Sequence, residues 1–283
     1  LIAAALAGVL IIAVPVAVIA PGWPPAGWTL VACDVGQGDG LVLSTGEPGR
    51  GVVVDTGTEL GEMARCLDRL GIERVPLLVL SHLHADHIGG LAAVLGGRAV
   101  GGIAVGPGRS PGWAWRQVTE VARRHGVSLV ELTEGHLLDL PNLGLRVIGP
   151  RYVSPAGAAE PDGSEINNTS LVITADTRVG RVLLTGDVEL AAQADLLASD
   201  VDVRADVLKV PHHGSRYTLP AFLNEVGPAI AVISVGADNR YGHPNRGTVD
   251  MLRRAGALVM RTDTGGDIAI VADEEGPIVV RRK

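Results

Sequence analysis

The sequence predicts a layered α/β domain from three observations. Short β-branched runs alternate irregularly with helix-like stretches, turn residues separate them throughout, and the composition favours compact strands. With 38 glycines and only 3% aromatic residues, the core has to be built from Val, Leu, Ile and Ala between tight turns. Hydrophobic residues make up 47% of the 283 and charged residues 19%, which supports one large core or two small ones and excludes a disordered chain.

Taken in order, residues 1–20 form an uncharged apolar run interrupted only by Gly8 and Pro15, about long enough to cross a bilayer as a helix. A signal peptide would carry a basic n-region and a buried core helix an amphipathic pattern, and neither is present. The expectation is a transmembrane-like helix ending a truncated channel region. A Pro/Gly linker follows at 21–28, with Trp23 and Trp28 near the membrane interface. The domain proper spans 29–283. Strands are expected at 30–33, 52–55, 77–81, 102–105, 145–148, 171–174, 182–185, 207–210, 230–235 and 268–271. Helices are expected at 60–70, 88–95, 113–125, 190–198 and 248–255. The stretch 151–168, rich in Pro, Gly, Ala, Ser and Asp, reads as a loop, either mobile over a site or a plain surface insertion. Cys33 and Cys66 show no Cys-x-x-Cys spacing and read as two buried thiols.

One segment concentrates chemistry. His82-Leu83-His84-Ala85-Asp86-His87 follows the apolar run 77–81, so four ligand-capable side chains sit in one turn. Imidazole nitrogens and carboxylate oxygens suit Zn or Mn, whereas a solvated turn needs Gly, Pro, Asn or Asp. Asp187 lies just beyond another apolar run, where it could bridge two cations. Lys209, His212, His213 and Ser215 end a third, and His243 follows a fourth. Singly, Asp187 and His243 are ordinary loop residues. On loops at one end of the strands of a layered α/β fold, these segments converge.

His-Leu-His-Ala-Asp-His resembles the His-x-His-x-Asp-His signature of the metallo-β-lactamase superfamily. Five further motifs resemble the C-terminal domain of ComEC competence proteins, from about Trp28 to the C-terminus. They are Asp34-Val35-Gly36-Gln37-Gly38-Asp39, Asn167-Asn168-Thr169-Ser170-Leu171, Leu184-Thr185-Gly186-Asp187, Lys209-Val210-Pro211-His212-His213-Gly214-Ser215 and Tyr241-Gly242-His243-Pro244. The resemblance implies an αββα sandwich, here preceded by the apolar helix, holding two divalent metal ions, Zn or Mn. It implies His82 and His84 for the first metal, Asp86 and His87 for the second, Asp187 between them, and His243 completing the second site. Asp55 would orient neighbouring groups from behind the ligands. Asn167 and Asn168 stand where many members supply another histidine, which weakens the first site. Asp86, His212, His213 and Lys209 are the candidate catalytic groups. Of these, His212 or His213 would protonate a leaving oxygen, and Lys209 would either hold a phosphate or be a snorkelling strand residue.

The implied activity is that of a metal-dependent phosphodiesterase, a deoxyribonuclease acting on incoming DNA in natural transformation. The implied partners are DNA and, through the N-terminal helix and the missing channel region, the membrane, with the domain on its extracytoplasmic side. No nucleotide cofactor is expected. The net charge of -7 and the scarcity of aromatic residues argue against strand binding, unless Arg216, Tyr217, Arg240 and Arg246 form a local patch rather than ordinary surface. One rival is another hydrolase on the same fold, such as a phosphocholine esterase, lactonase or β-lactamase, because fold does not fix substrate. Against it, the segment around His212 and His213 argues for phosphoesters. The second rival, consistent with the asparagines, is a non-cleaving, metal-stabilised accessory domain of a DNA channel.

Overall fold

The computed structural model describes residues 22–151, 161–274 and 276–282. The expected helix over 1–20 and the stretch 152–160 of the expected loop lie outside them. Among the described residues no helix is long and apolar enough to cross a membrane.

The period-two alternation of the strands decides the layering. One sheet has the order β17 (Gly276–Arg282), β16 (Asp267–Asp273), β1 (Trp28–Ala32), β2 (Leu41–Ser44), β3 (Gly51–Val54), β5 (Leu78–Leu80), β7 (Ile103–Val105), β8 (Leu129–Glu131). The other runs β15 (Leu258–Arg261), β14 (Ile230–Ile233), β13 (Val207–Lys209), β12 (Gly180–Leu184), β11 (Val172–Thr177), β10 (Leu143–Gly149), β9 (Leu137–Leu140). A small parallel pair, β4 (Arg74–Val75) with β6 (Ala99–Val100), lies apart. Leu30, Leu43 and Val54 of the first sheet and Leu145, Val182 and Val207 of the second join one core between the sheets. Their strand neighbours Val31, Val42 and Val53 face outward into a second core. Leu183, Leu208 and Ala231 do the same on the far side.

Helices α1 (Glu62–Arg69), α3 (Leu91–Gly97) and α4 (Gly112–His125) close the outer face of the first sheet. In α4 the buried Ala114, Val118 and Ala122 recur every four residues, and Gly126 ends the helix at φ 65. Helices α6 (Leu190–Leu197), α7 (Pro220–Val226) and α8 (Arg246–Arg254) close the second sheet. The short α2 (Ala85–Ile88), α5 (Gly163–Asn167) and α9 (Thr262–Gly265) belong to connections. The result is an αββα sandwich.

Strands β3, β5, β7 and β8 are parallel, as are β12 to β15. Their carboxyl ends carry Asp55, the 81–87 segment, Asp187, the 210–215 segment and Ser234, so the predicted motifs share one edge of the sandwich.

Several expectations are corrected. The stretch 151–168 is not all loop: Asp162 and Glu165 form a reciprocal capping box that starts α5. Cys33 and Cys66 are a disulfide with Cα atoms 5.9 Å apart, because the outward face of the chain after β1 meets the inner face of α1. Trp23 and Trp28, expected near a membrane interface, are partly buried against the core of the first half.

Candidate metal centre

The turn after β5 is shaped by contacts as close as backbone geometry permits. His84 is extended and caps α2, whose single turn presents Asp86 and His87. Against it lies Gly38, at φ 106; a Cβ there would fall 1.8 Å from the Asp86 carbonyl oxygen, so only glycine lets the 34–40 loop reach it. The Asp39 amide then donates to that carbonyl at 3.2 Å, and Ser234 Oγ donates to the Gly38 carbonyl at 2.7 Å. Backbone strain gathers here too. Asp55, His212 and His213 adopt φ of 60, 46 and 53, a region that non-glycine residues enter at a cost of about 1–3 kcal/mol.

Asp86, His87, Asp187 and His213 each offer an atom to one cluster in which all lie within 4.8 Å of one another. Behind it, each imidazole is held by oxygen. His87 Nδ1 lies 2.9 Å from Asp55 Oδ2, while Asp55 accepts bonds from the Ser81 amide and hydroxyl, both at 2.7 Å. His213 Nδ1 donates to the Ser234 carbonyl at 2.9 Å and lies 3.4 Å from Asp39 Oδ1. A ring that donates through Nδ1 turns a lone pair outward on Nε2. Both Nε2 atoms are buried without a hydrogen-bond partner. Both lie 3.2 Å from the same Asp187 oxygen, and His213 Nε2 is 3.4 Å from Asp86 Oδ2. Acceptors facing acceptors at these distances require a positive charge between them, from protons or from a metal ion. Burial opposes charge on His87 and His213, but Asp187 and the carboxylates behind them hold both well above the ordinary imidazole range. Against the same burial, His87 and His213 hold Asp86 and Asp187 well below the usual carboxylate range. The donor set is therefore one that a divalent cation fits.

The neighbouring end is more open. His82 Nε2 lies 3.1 Å from His84 Nδ1, and burial pushes both rings below their usual range, leaving them neutral donors. Asn167 is buried beside them with its Oδ1 lacking a partner, while its Nδ2 donates to Glu189 Oε1 at 2.8 Å. Glu189 also accepts from Ser164 Oγ at 2.5 Å and lies 3.1 Å from His212 Nδ1. Burial opposes these contacts, which nonetheless hold the Glu189 carboxyl down at about 2. His212 Nε2 is left 4.0 Å from Asp187 Oδ2, facing the cluster.

The expected site residues thus divide. His82, His84, Asp86, His87, Asp187 and His213 come together, with Asp55 behind them. His243 is not among the atoms of the buried cluster; it lines the cleft over it, its ring 6.3 Å from that of His213, while the left-handed backbone at 212–213 places His213 in the cluster. Asn168 does not face the cluster; its Oδ1 caps α6 by accepting from the Glu189 and Ala192 amides at 2.9 and 3.2 Å. Lys209 neither snorkels nor reaches the cleft. It is fully buried, its Nζ paired with Asp39 and donating to the Gly186 carbonyl at 2.8 Å. Asp39 and Glu189 were not singled out by the sequence. Their signals were the last residue of the 34–39 motif and an acid two positions after Asp187.

A family model, the metallo-beta-lactamase superfamily, matches residues 34–236, from the strand-end loop of Asp39 to beyond Ser234. The chain belongs to this superfamily. Among curated relatives it is 31% identical over 254 residues to ComE operon protein 3 of Bacillus subtilis, covering 83% of this chain and 32% of that protein. It is 28% identical over 238 residues to competence protein ComA of Neisseria gonorrhoeae, covering 82% of this chain and 30% of that one. The likeness to competence proteins read from the motifs is thereby shown, and the chain spans about a third of the length of these relatives. Among solved structures, the metallo-beta-lactamase fold protein YhfI from Bacillus subtilis superposes with a TM-score of 0.51 at 13% identity, covering 84% of this chain and 98% of that one. In this metallo-beta-lactamase fold a cleft of about 490 Å³ opens over the cluster, with Asp86, Asp187, His212 and His213 lining it and Trp113 and Tyr241 among its outer residues.

Proposed function

We propose that the chain is a metal-dependent phosphodiesterase that cleaves DNA during uptake. The observation that carries this reading is the pair of buried, outward-turned imidazole nitrogens sharing one carboxylate oxygen on the floor of a cleft, with His212 facing the same oxygen beside Glu189. In this reading Asp86, His87, His213 and Asp187 hold one divalent ion, Zn or Mn. His82, His84 and Asp187 hold a second, weaker one, with the Asn167 amide where an imidazole would bind more firmly. Bound ions supply Lewis acidity toward a phosphoryl oxygen and toward the attacking water.

The chain's own groups do the rest. As water adds to phosphorus and the ester P–O bond breaks, His212, oriented by Glu189, gives its proton to the departing oxygen and regains one from solvent. Asp55 and Asp39 keep His87 and His213 turned toward the cluster. Lys209 offsets the buried charge of Asp39 and orders the strand end.

The negative net charge does not oppose a polyanionic substrate. Five of the 31 carboxylates (Asp39, Asp55, Asp86, Asp187, Glu189) and one of the 24 cationic side chains (Lys209) sit in the site. They account for four of the seven net negative charges, and two divalent ions cancel those four. The disulfide supports an oxidising, extracytoplasmic location, with residues 1–20 as a membrane anchor. The names of the competence-protein relatives support incoming DNA as the substrate.

The test is to incubate the chain with end-labelled single- and double-stranded DNA in Mn, Zn or chelator, beside Asp86→Ala and His87→Ala variants. Cleavage that needs metal and both side chains is expected. Metal binding without turnover of any phosphodiester would instead support the accessory-domain reading, to which the amide at Asn167 lends its only support.

A further inference from the structure

The sequence holds eight Trp, Tyr and Phe residues in all. Among the described residues three of them are exposed: Trp113 at 48%, Tyr217 at 39% and Tyr241 at 71%. Two of these three, Trp113 and Tyr241, line the cleft over the metal cluster. They come from different halves of the sandwich, Trp113 from the first turn of α4 and Tyr241 from the loop after β14.

Tyr241 is exposed yet positioned. Its ring stacks on that of His243, with centroids 6.0 Å apart and planes 14° from parallel. Asn239 pins the loop by donating from Nδ2 to the Gly236 and His243 carbonyls, both at 2.8 Å, and by accepting the His243 amide at 3.0 Å. The phenol ring is offset along that of His243 and, at 71% exposure, presents its faces to solvent. Trp113 stands near Pro111, a second apolar member of the cleft wall. In a chain this poor in aromatics, leaving two at the mouth of one polar cleft forgoes burial that either ring would gain in a core.

We infer that Trp113 and Tyr241 are base-stacking subsites beside the scissile phosphodiester, which makes the site selective for single-stranded polynucleotide. In a duplex each base face is covered by its neighbours, so a fixed ring gains a partner only from an unpaired strand. The metal cluster addresses the backbone, which is the same in every sequence, and the rings add affinity for any base. The inference rests on the phosphodiesterase reading and adds the form of its substrate.

The experiment uses three fluorescein-labelled probes: an oligothymidylate, an abasic strand of equal length, and the oligothymidylate paired with its complement. Each is titrated with the chain in calcium and in chelator, and binding is read by anisotropy, with cleavage in Mn measured separately. Wild type is expected to bind the thymidylate strand more tightly than either other probe. Trp113→Ala and Tyr241→Ala should each weaken that binding by about 5- to 150-fold, toward the level at which wild type holds the abasic strand, with Tyr241→Phe close to wild type. Equal wild-type binding of thymidylate and abasic strands, or unchanged thymidylate binding in both alanine variants, overturns the inference. So does duplex bound as tightly as single strand. Absence of cleavage of any probe by wild type sinks the phosphodiesterase reading instead, and the anisotropy comparison still decides between stacking and none.

Discussion

At one end of the cleft His87 and His213 are fully buried and each is fixed by an oxygen behind the ring, whereas at the other His84 and His212 stand nearer solvent beside an amide. The first end has two carboxylates turned toward its imidazoles; the second has His82 and His84, pushed below their usual range by burial, and borrows a single oxygen from Asp187 through His212. Burial makes the first end dependent on positive charge, from protons or from a metal ion, because Asp86 and Asp187 face two imidazole lone pairs in a low-dielectric interior. The second end keeps one buried oxygen without a partner, Asn167 Oδ1, and in the proposed reading it binds a cation weakly and handles protons. In the proposed reading the same ligand chemistry serves as a holding end and a working end, set by what stands behind each ring.

The largest change should come from removing the residue that both ends share. Asp187→Ala is expected to lose bound metal at both ends and to bring phosphodiester cleavage to background, measured as metal content after dialysis and as rate. Next come two variants that separate the ends. Asp55→Asn should weaken metal affinity by about 10- to 100-fold through the freed His87 ring, read by competition with a chelating dye. His212→Ala should lower kcat by about 10²-fold while metal content stays at the wild-type value. A matching loss of metal in His212→Ala would erase the distinction.

Acid–base linkage gives a stability profile for the metal-free chain. His87 and His213 are raised well above their ordinary value in the folded state, chiefly by Asp187 acting against burial. Their contribution is full below about pH 6.5 and is lost as pH rises through the folded values. His243 is lowered to about 4 by burial and by His212, so the unfolded chain binds the extra proton between about pH 4 and 6.5 and stability rises with pH there. In chelator, Tm should therefore peak near neutrality and fall on the alkaline side. Adding Zn or Mn should remove the alkaline fall, since metal replaces the protons. A profile unchanged by metal would mean the cluster binds none. The smallest effect expected is a gain: Asn167→His should fill the second equivalent at lower free metal, seen by calorimetric titration.

The sequence revealed some of this and hid the rest for physical reasons. Strands such as 207–210 and 230–235 were legible because they are buried on both faces and read as apolar runs. Strands β9 and β17 were not, since at the sheet edges half their side chains face water. The His82–His87 turn announced itself because a structural turn has no use for clustered imidazoles. Which of His212, His213 and His243 reaches the cluster was hidden, because the decision lies in two left-handed residues, and φ is not written in side-chain type. Lys209 looked like a phosphate ligand because its partner Asp39 lies 170 positions earlier in the chain. The disulfide was missed for the same reason: contact between β1 and α1 is tertiary, and a spacing of 33 residues carries no signal.

In the proposed reading the left-handed turn at 212–213, and not the loop of His243, supplies the last ligand of the buried ion. Metal content after exhaustive dialysis of wild type, His213→Ala and His243→Ala, each loaded with Zn or Mn, tests it most directly. His213→Ala is expected to lose the tightly held ion while His243→Ala retains it. Retention in His213→Ala with loss in His243→Ala would contradict it.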